Sequence, residues 1–239
     1  MGHARSPSGA SAVTVQLDAR AYLDLLVTRG DLGTDRWPEQ LVMTLGHPIA
    51  ARRRHTTATP FGRLLDHDGS AVLQSSVVGG SAMAVVAQCL AVLGVEEMVV
   101  VGRGGALGDE LPDAGVVTVS SVMCDDGVSR RYGASGAIPM SDDLTRRISE
   151  GPSVRAVTTD VPFLLDDRRY DELRRRDVSV VEMELAAARA ATPSTELGAL
   201  VVVSDRRTLG RWRPSDQDAV RRGLDAATAR AQAALGASS

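Results

Sequence analysis

The chain has 239 residues, of which 44% are hydrophobic and 24% charged, and its formal net charge is −3. These values predict one soluble domain with a hydrophobic core, and the slightly acidic balance argues against nucleic acid as a main partner. All 27 lysine-plus-arginine positions are arginines. The absence of lysine excludes Schiff-base chemistry, pyridoxal phosphate anchoring and a P-loop, because each needs a lysine amine.

The cysteines and histidines give no sign of a metal site or a disulfide framework. Cys89 and Cys124 are the two cysteines, and the four histidines lack the spacing of metal ligands. We therefore expect no metal and no cofactor. No apolar run is long enough to span a membrane, and the N-terminus lacks the apolar core of a secretory signal, so we expect a cytoplasmic protein without a membrane partner. Residues 1–14 are expected to be disordered, and residues 15–239 to form the domain.

The chain up to residue 94 contains two helical patterns and three strand patterns. Residues 19–28 have the apolar spacing of a helix, and residues 41–45 form a short apolar strand. Residues 61–78 alternate in the manner of a β-hairpin, with Asp68-Gly69 at the turn. Residues 81–94 are apolar on nearly every face, which predicts a buried helix that ends at Gly94.

The remaining chain alternates between strand and helix patterns. The predicted strands are 96–102, 115–123, 154–160, 178–184 and 199–205, and the predicted helices are 183–191 and 215–236. Ser215 and Asp218 stand at capping-box spacing before the last helix. Alternating strands and helices around continuous apolar runs predict a single α/β domain, with a central sheet covered by helices on both faces.

A run of glycines follows the strand at 96–102. Gly102, Gly104 and Gly105 come at its end and suggest a turn where the backbone approaches a ligand. A dinucleotide-binding turn would lead into a helix, whereas Pro112 and Gly115 lead here into another strand. The order of elements therefore disfavours a dinucleotide site.

Five segments carry a resemblance to a known enzyme superfamily. They are "VVGGSAMAVVAQCLAVLGVEEMVVVG", "GRGGALGDELPDAGVVTVSSVMCDDGVS", "PFLLDDRRYD", "VEMELAA" and "VVVSDRRT". In this order, from residue 41 to the C-terminus, they resemble the nucleoside phosphorylase and nucleosidase superfamily, most closely its uridine phosphorylase branch. The resemblance implies a nucleoside phosphorylase-like fold, with a mixed, twisted and partly barrel-like central β-sheet flanked by helices. It also implies cleavage of a nucleoside N-glycosidic bond, most often by phosphorolysis.

The resemblance assigns the ribose to the segment "VEMELAA". Glu184 is expected to accept hydrogen bonds from the 2′ and 3′ hydroxyls of the ribose, and its charge favours a cationic sugar. Met183 is expected to pack against the sugar or the base. The alternative is that Glu182 and Glu184 merely alternate at a strand edge and that Met183 belongs to the core.

The resemblance assigns the base to the segment "PFLLDDRRYD" and to Asp205. Phe163 is expected to stack on the base, while Asp167 and Arg169 match a glutamine and an arginine that read uracil in uridine phosphorylases. Arg169 is also expected to act in catalysis, by stabilising negative charge that builds on the leaving base. A carboxylate at 167 departs from that pattern, because it favours an amino group or a ring N–H over a carbonyl. Asp205 matches the aspartate that protonates the base in purine-specific relatives, so the identity of the base stays open. A solvated charged loop around Asp167 and a structural cap at Asp205 are the alternatives.

The anion site shows the largest departure from the family pattern. The positions that carry phosphate-binding arginines in the phosphorylases match Ala50, Ala58 and Val100, none of which is basic. Gly46, Arg103 and Gly104 are the candidates for a phosphate site, and residues 52–54 supply further arginines nearby. Arg103 either rebuilds this site or closes it through a salt bridge with Asp109 or Glu110.

Several functions remain open at this point. Phosphorolysis would use phosphate as a co-substrate, whereas a hydrolase would need a positioned water, and a divergent biosynthetic enzyme would use another acceptor. A non-catalytic nucleoside-binding homologue is the alternative from another class. The resemblance further implies a homo-oligomer, which in this superfamily is a dimer, trimer or hexamer.

Overall fold

A computed structural model describes residues 19–28, 37–47, 55–67, 70–208 and 210–236. Within these ranges the helices are α1 (Ala19–Thr28), α2 (Gly80–Val92), α3 (Gly127–Arg131), α4 (Asp142–Ile148), α5 (Asp167–Arg175), α6 (Leu185–Ala191) and α7 (Gln217–Gly236). The strands are β1 (Gln40–Leu45), β2 (His55–Thr59), β3 (Gly62–His67), β4 (Ser70–Ser75), β5 (Glu97–Leu107), β6 (Val116–Asp125), β7 (Ala137–Pro139), β8 (Ser153–Thr159), β9 (Val178–Glu182), β10 (Glu196–Thr208) and β11 (Arg211–Pro214).

Five strands close into a ring. Strand β5 pairs with β10, the pairing continues through β6, β8 and β9, and β9 pairs again with β5. Strands β1, β4, β3 and β2 extend the sheet from β5, and β11 extends it from β10. Parallel and antiparallel pairs both occur, as between β5 and β10 and between β5 and β9. The predicted α/β domain with a mixed, partly barrel-like sheet is confirmed.

The long strand β5 explains why helices cover both faces of the sheet. Met98 and Val100 join a core cluster with α2, while Val99 and Val101 join a second cluster with α4 and α7. A strand that is buried on both faces has a continuous apolar run instead of an alternating one. The run at 98–101 therefore marks the centre of the molecule.

The glycines after this run do not form the predicted turn. Residues 102–105 lie inside β5, paired with β10 from Val201 to Asp205, and the chain turns only after Leu107, at Gly108 with φ +99°. A Cβ built on Gly104 would lie 2.7 Å from Val180 Cγ1 and 2.8 Å from Val201 Cγ1. The glycine is therefore required because β9 and β10 approach β5 closely where the ring closes.

The C-terminal part of the chain differs from prediction at two points. Strand β10 continues beyond Asp205 to Thr208 and forms a hairpin with β11, which the sequence did not predict. The expected cap of the last helix is also wrong, because Asp216 Oδ1, instead of Ser215, accepts a hydrogen bond of 2.7 Å from Ala219 N. Asp216 lies directly before the first helical turn and accepts from an N–H group that has no partner within the helix, as capping residues do.

Other predicted elements are found close to their expected positions. The 61–78 hairpin is confirmed by the antiparallel pair of β3 and β4, while its turn residues Asp68 and Gly69 lie outside the described residues. The segment 162–171, expected as a loop, contains a short 3₁₀ turn (Pro162–Leu164) and then enters α5. No helix in the described ranges is both long and apolar enough to cross a membrane.

Candidate active site

A cavity of about 840 Å³ opens where the ring strands β5, β9 and β10 end. This volume lies within the range of about 300–1,000 Å³ that is typical of small-molecule sites. Its wall is formed by the second half of β5, the residues after β9, the β10–β11 hairpin and two loops. The lining includes Gly46, Val78, Arg103, Gly104, Gly105, Leu107, Phe163, Leu165, Glu182, Met183, Glu184, Asp205, Arg207, Arg211 and Trp212.

Glu184 reaches the cavity from the start of α6. Its Oε1 accepts a hydrogen bond of 2.6 Å from the Gly79 N–H, and its Oε2 accepts one of 3.2 Å from the Met183 N–H. Gly79 lies directly before α2 with φ +85°, a conformation that favours glycine. Burial raises the pKa of the Glu184 carboxyl, although these two bonds oppose the effect. The predicted ribose-binding carboxylate is therefore held at the cavity wall by two separate segments.

Glu182 is a buried carboxyl that supports this arrangement. Its Oε2 accepts hydrogen bonds from the N–H groups of Glu184 (2.6 Å) and Leu185 (2.7 Å), which caps α6. The Thr158 hydroxyl donates to its Oε1 and in turn accepts a bond of 2.8 Å from Ala186 N. Burial raises the pKa of Glu182 to about 8. The two glutamates around Met183 therefore differ, since Glu182 is buried and caps α6, whereas Glu184 is only partly buried in the cavity wall.

Asp205 lies on the cavity face of β10. The Trp212 indole N–H donates a bond of 3.0 Å to its Oδ2, and the Ser204 hydroxyl donates one of 2.8 Å to its Oδ1. A Cβ built on Gly105 would come within 2.8 Å of Asp205 Oδ2. The absence of a side chain at Gly105 therefore leaves room for the carboxylate that the sequence predicts as a general acid.

Arg103 also lines the cavity, two residues before Gly105 on β5 and together with Gly46 and Gly104. It forms no ion pair with the carboxylates of the described chain; Glu110 pairs instead with Arg174, and Asp109 lies 3.7 Å from Arg206. The interpretation in which Arg103 closes the site through Asp109 or Glu110 is therefore wrong. The cation remains directed to the cavity.

Two further arginines line the cavity and were missed by sequence reasoning. Arg207 follows Asp205 by two positions on β10, so both side chains lie on the same face of the strand. Its Nη2 lies 3.8 Å from Asp167 Oδ1. Arg211 lines the mouth of the cavity from β11. Arg207 could have been found because it lies two residues after Asp205, which places both side chains on the same face of a strand. This pattern becomes visible only once β10 is known to extend beyond Asp205.

The predicted base-reading residues are not brought together. Phe163 is 94% exposed and lines the cavity, as stacking on a base requires. Asp167 and Arg169 lie on α5, outside the cavity lining. The Arg169 guanidinium pairs with Asp125 (2.8 Å) and Glu172 (2.7 Å). Base recognition by Asp167 and Arg169, and the catalytic role of Arg169, stay predictions.

Only some of the residues at the predicted phosphate-binding positions line the cavity. Gly46 lines the cavity with φ +61°, whereas His47 turns away and places its Nε2 3.0 Å from Asp225 Oδ1 on α7. Val100 is buried in the core, and Ala58 is exposed on β2. Ala50 and residues 52–54 lie outside the described residues. No group of histidine, cysteine, aspartate and glutamate side chains that could hold a metal ion occurs in the described part of the chain.

Comparison with known proteins identifies the family. The profile described as the phosphorylase superfamily matches residues 39–238, which include every strand and all helices but α1. The chain belongs to the phosphorylase superfamily. Members of this superfamily are enzymes, among them phosphorylases and hydrolases. A search of curated proteins finds no match.

Solved structures of the phosphorylase superfamily share the fold at low sequence identity. Uridine phosphorylase from Vibrio fischeri ES114 is similar with a TM-score of 0.67 and 14% identity, over 86% of this chain and 95% of that one. A mutant of futalosine hydrolase from Helicobacter pylori strain 26695 is similar with a TM-score of 0.62 and 11% identity, over 84% of this chain and 100% of that one. At such identities the similarity establishes the fold, and the reaction must be argued from the site.

Proposed function

We propose that this protein cleaves the N-glycosidic bond of a nucleoside by phosphorolysis, giving a free base and a sugar 1-phosphate. One observation carries the proposal: Glu184, Asp205 and Arg103 come from three separate segments and line a single cavity. Breaking an N-glycosidic bond requires a hold on the sugar, a proton for the base and a nucleophile at the anomeric carbon. The three side chains have the chemistry of these tasks.

Glu184 is the proposed ribose ligand. Both of its oxygens accept backbone N–H bonds, which fix the side chain before a substrate arrives. Carboxylate oxygens have further lone pairs for the 2′ and 3′ hydroxyls of the ribose. The negative charge also stabilises the positive charge that develops on the sugar as the bond to the base breaks.

Asp205 is the proposed general acid. As the bond between C1′ and the base nitrogen breaks, its electron pair stays with the base, and a proton from Asp205 neutralises the leaving group. Phe163, at the rim of the cavity, is the proposed stacking partner of the base. Met183 lines the cavity beside Glu184 and is the proposed apolar contact of the sugar.

Phosphate is the proposed nucleophile, bound by Arg103 and by the backbone at Gly46 and Gly104. Arginine is suited to this task because its planar guanidinium donates two parallel hydrogen bonds to phosphate oxygens. A phosphate oxygen forms the new bond to C1′ as the base departs, which leaves the sugar 1-phosphate. The reaction needs phosphate as co-substrate and no other cofactor.

Hydrolysis is the second candidate, and one observation favours it. Val100 is buried in the core, although its position matches a phosphate-binding arginine of the phosphorylases. Within the described chain, Arg103 is therefore the one arginine that lines the cavity near Glu184. A water molecule needs no cationic site. The similarity to a futalosine hydrolase structure is consistent with either nucleophile.

A panel of purine and pyrimidine nucleosides, incubated with and without phosphate, tests the proposal through release of free base. We expect base release that depends on phosphate. An Arg103→Gln variant should raise the KM for phosphate at least about tenfold, because charge-assisted bonds supply most of the affinity for this anion. Arg146→Gln is the matched control, since Arg146 is exposed on α4 and pairs only locally with Asp143. Phosphate-independent release would support the hydrolase, and no release in either condition would refute both.

A further inference from the structure

We propose that the cavity contains a second anion subsite at Arg207 and that the substrate is a nucleoside whose base carries a carboxylate or another anionic group. This inference rests on the proposed function, because it uses the positions of the sugar and the base in the cavity. Three observations carry it: the order of residues along the strands, the partners of the two consecutive arginines, and the apolar walls around Arg207.

The order of the cavity residues follows from the strand registers. Val181 of β9 pairs with Gly105, and Glu182 and Glu184 follow it one and three residues later. Both glutamates and Arg103 line a small adjoining cleft. Asp205 pairs with Gly105, and Arg207 pairs with Leu107. The levels of Arg103 and Leu107 are four residues apart, which is about 13 Å along a strand. Arg103 and Glu184 therefore occupy one end, Asp205 the middle and Arg207 the far end.

A nucleoside placed by these residues reaches Arg207 with its base. When the sugar contacts Glu184 and the base receives a proton from Asp205, the edge of the base remote from the sugar points to Arg207. Phosphate beside Arg103 lies at the other end, next to the sugar carbon that it attacks. The cation at Arg207 is therefore separate from the nucleophile site and faces a substituent of the base.

The two consecutive arginines of β10 have different partners. Arg206 points to the opposite face, is 5% exposed, and donates to the carbonyl oxygens of Gly108 and Leu111 and to Asp113. Arg207 points to the cavity, and the carboxylate of Asp167 lies 3.8 Å away, which is longer than a hydrogen bond. Arg206 therefore holds the fold together, while the Arg207 guanidinium donates no hydrogen bond within the described residues and keeps its donors for a ligand.

The apolar surroundings of Arg207 strengthen its interaction with an anionic group. Trp212 stands directly across from it on β11, and Leu107, Leu165 and Phe163 add apolar surface to the same part of the cavity. A ligand in this region displaces water, and a charged pair is stronger in such a site than in bulk solvent. A neutral base offers the guanidinium only uncharged carbonyl or ring-nitrogen acceptors. A carboxylate instead accepts two parallel charge-assisted hydrogen bonds, which are roughly twice as strong as neutral ones.

Nucleosides matched in their base and sugar, with either an anionic or a neutral group at the far edge of the base, test this subsite. The probes are 5-carboxyuridine with its neutral methyl ester, and a purine riboside 6-carboxylate with its 6-carboxamide. Binding is measured by calorimetry and cleavage by base release, for the natural protein and for Arg207→Gln, Arg207→Lys and Arg213→Gln. Arg213 is the matched control, because it lies on the same hairpin, faces the opposite side and pairs with Asp113.

In at least one series we expect the acid to bind about tenfold or more tightly than its neutral partner, as for other hydrogen bonds between charged groups. Arg207→Gln should abolish this preference, Arg207→Lys should keep part of it, and Arg213→Gln should keep all of it. Equal binding of acid and neutral partner, a preference that survives Arg207→Gln, or no binding of either acid would overturn the subsite.

The same measurements separate this inference from the proposed function. Release of base from the neutral nucleosides without any preference for the acids would refute the subsite and leave the proposed function standing. An acid preference that depends on Arg207, with no base released from any nucleoside, would support the subsite and refute the proposed function.

Discussion

The indole N–H of Trp212 donates a hydrogen bond of 3.0 Å to Oδ2 of Asp205, across the β10–β11 hairpin. The Ser204 hydroxyl holds the other carboxylate oxygen at 2.8 Å. Both donors orient the carboxylate over Gly105, whose missing side chain leaves the necessary space. The short, exposed strand β11 therefore supplies a hydrogen-bond donor that orients the proposed general acid.

Replacing Trp212 with phenylalanine keeps an aromatic ring and removes the donor. We expect kcat for base release to fall about tenfold or more, because an acid contributes its full share of catalysis only when it is oriented toward the leaving group. The KM for the nucleoside should change much less, since phenylalanine keeps the aromatic surface that Trp212 gives to the cavity. Tyr132→Phe serves as control, because it removes an exposed aromatic donor, bonded to Gln88, outside the cavity. Equal losses in both variants would contradict the positioning role.

Alanine substitutions at two adjacent glycines should separate activity from stability. A Cβ at Gly105 meets the end of the Asp205 side chain, which can rotate away, whereas a Cβ at Gly104 meets Val180, Val201 and the Val181 carbonyl oxygen. Gly105→Ala should therefore retain its melting temperature and lose base release about tenfold or more. Gly104→Ala should lower the free energy of unfolding by about 1–3 kcal/mol through overpacking.

Thermal unfolding and base-release assays on both variants check this contrast. A Gly105→Ala protein with full activity would show that Asp205 does not need its present position. A Gly104→Ala protein of unchanged stability would show that the ring strands are less tightly packed than their contacts indicate.

The buried carboxyl of Glu182 should make stability depend on pH. Its pKa rises from 4.5 to about 8 in the folded protein, so the folded state keeps a proton that the unfolded state loses. The stabilisation is complete below pH 4.5 and is lost as the pH rises toward about 8, with a slope that approaches about 1.4 kcal/mol per pH unit. Glu182→Gln keeps an acceptor for the α6 N–H groups and carries no charge, so it should flatten this dependence.

Urea unfolding at a series of pH values provides the measurement. Glu196→Gln is the control, because Glu196 is exposed at the start of β10 and should leave the slope unchanged. A Glu182→Gln protein with the slope of the natural chain would mean that Glu182 is already ionised when folded.

The sequence predicted the elements with strong apolar patterns and missed those without them. The run at 98–101 marks β5 because both of its faces are buried. Helix α5 escaped prediction because only Tyr170 and Leu173 face the core, while most of its other residues are charged. The β11 strand has four residues, all exposed, and therefore has no apolar periodicity to detect.

The candidate site was predictable only where a side chain belongs to a recognisable segment. Glu184, Asp205, Phe163 and Arg103 were predicted, and all line the cavity. Trp212 and Arg207 were missed because their positions depend on the register between β10 and β11, which no local pattern reveals. The resemblance also could not indicate that Arg169, on helix α5, pairs with Asp125 at the end of strand β6.

The central claim is that Glu184 holds the ribose of a nucleoside during bond cleavage. The most direct measurement is the rate of base release by Glu184→Ala, compared with the natural protein and with Glu196→Ala as an exposed control. We expect a loss of at least about 100-fold in kcat/KM for Glu184→Ala, since the two charge-assisted bonds proposed between Glu184 and the sugar disappear, and no loss for the control. Release of base at the full rate by Glu184→Ala would show that Glu184 does not hold the ribose.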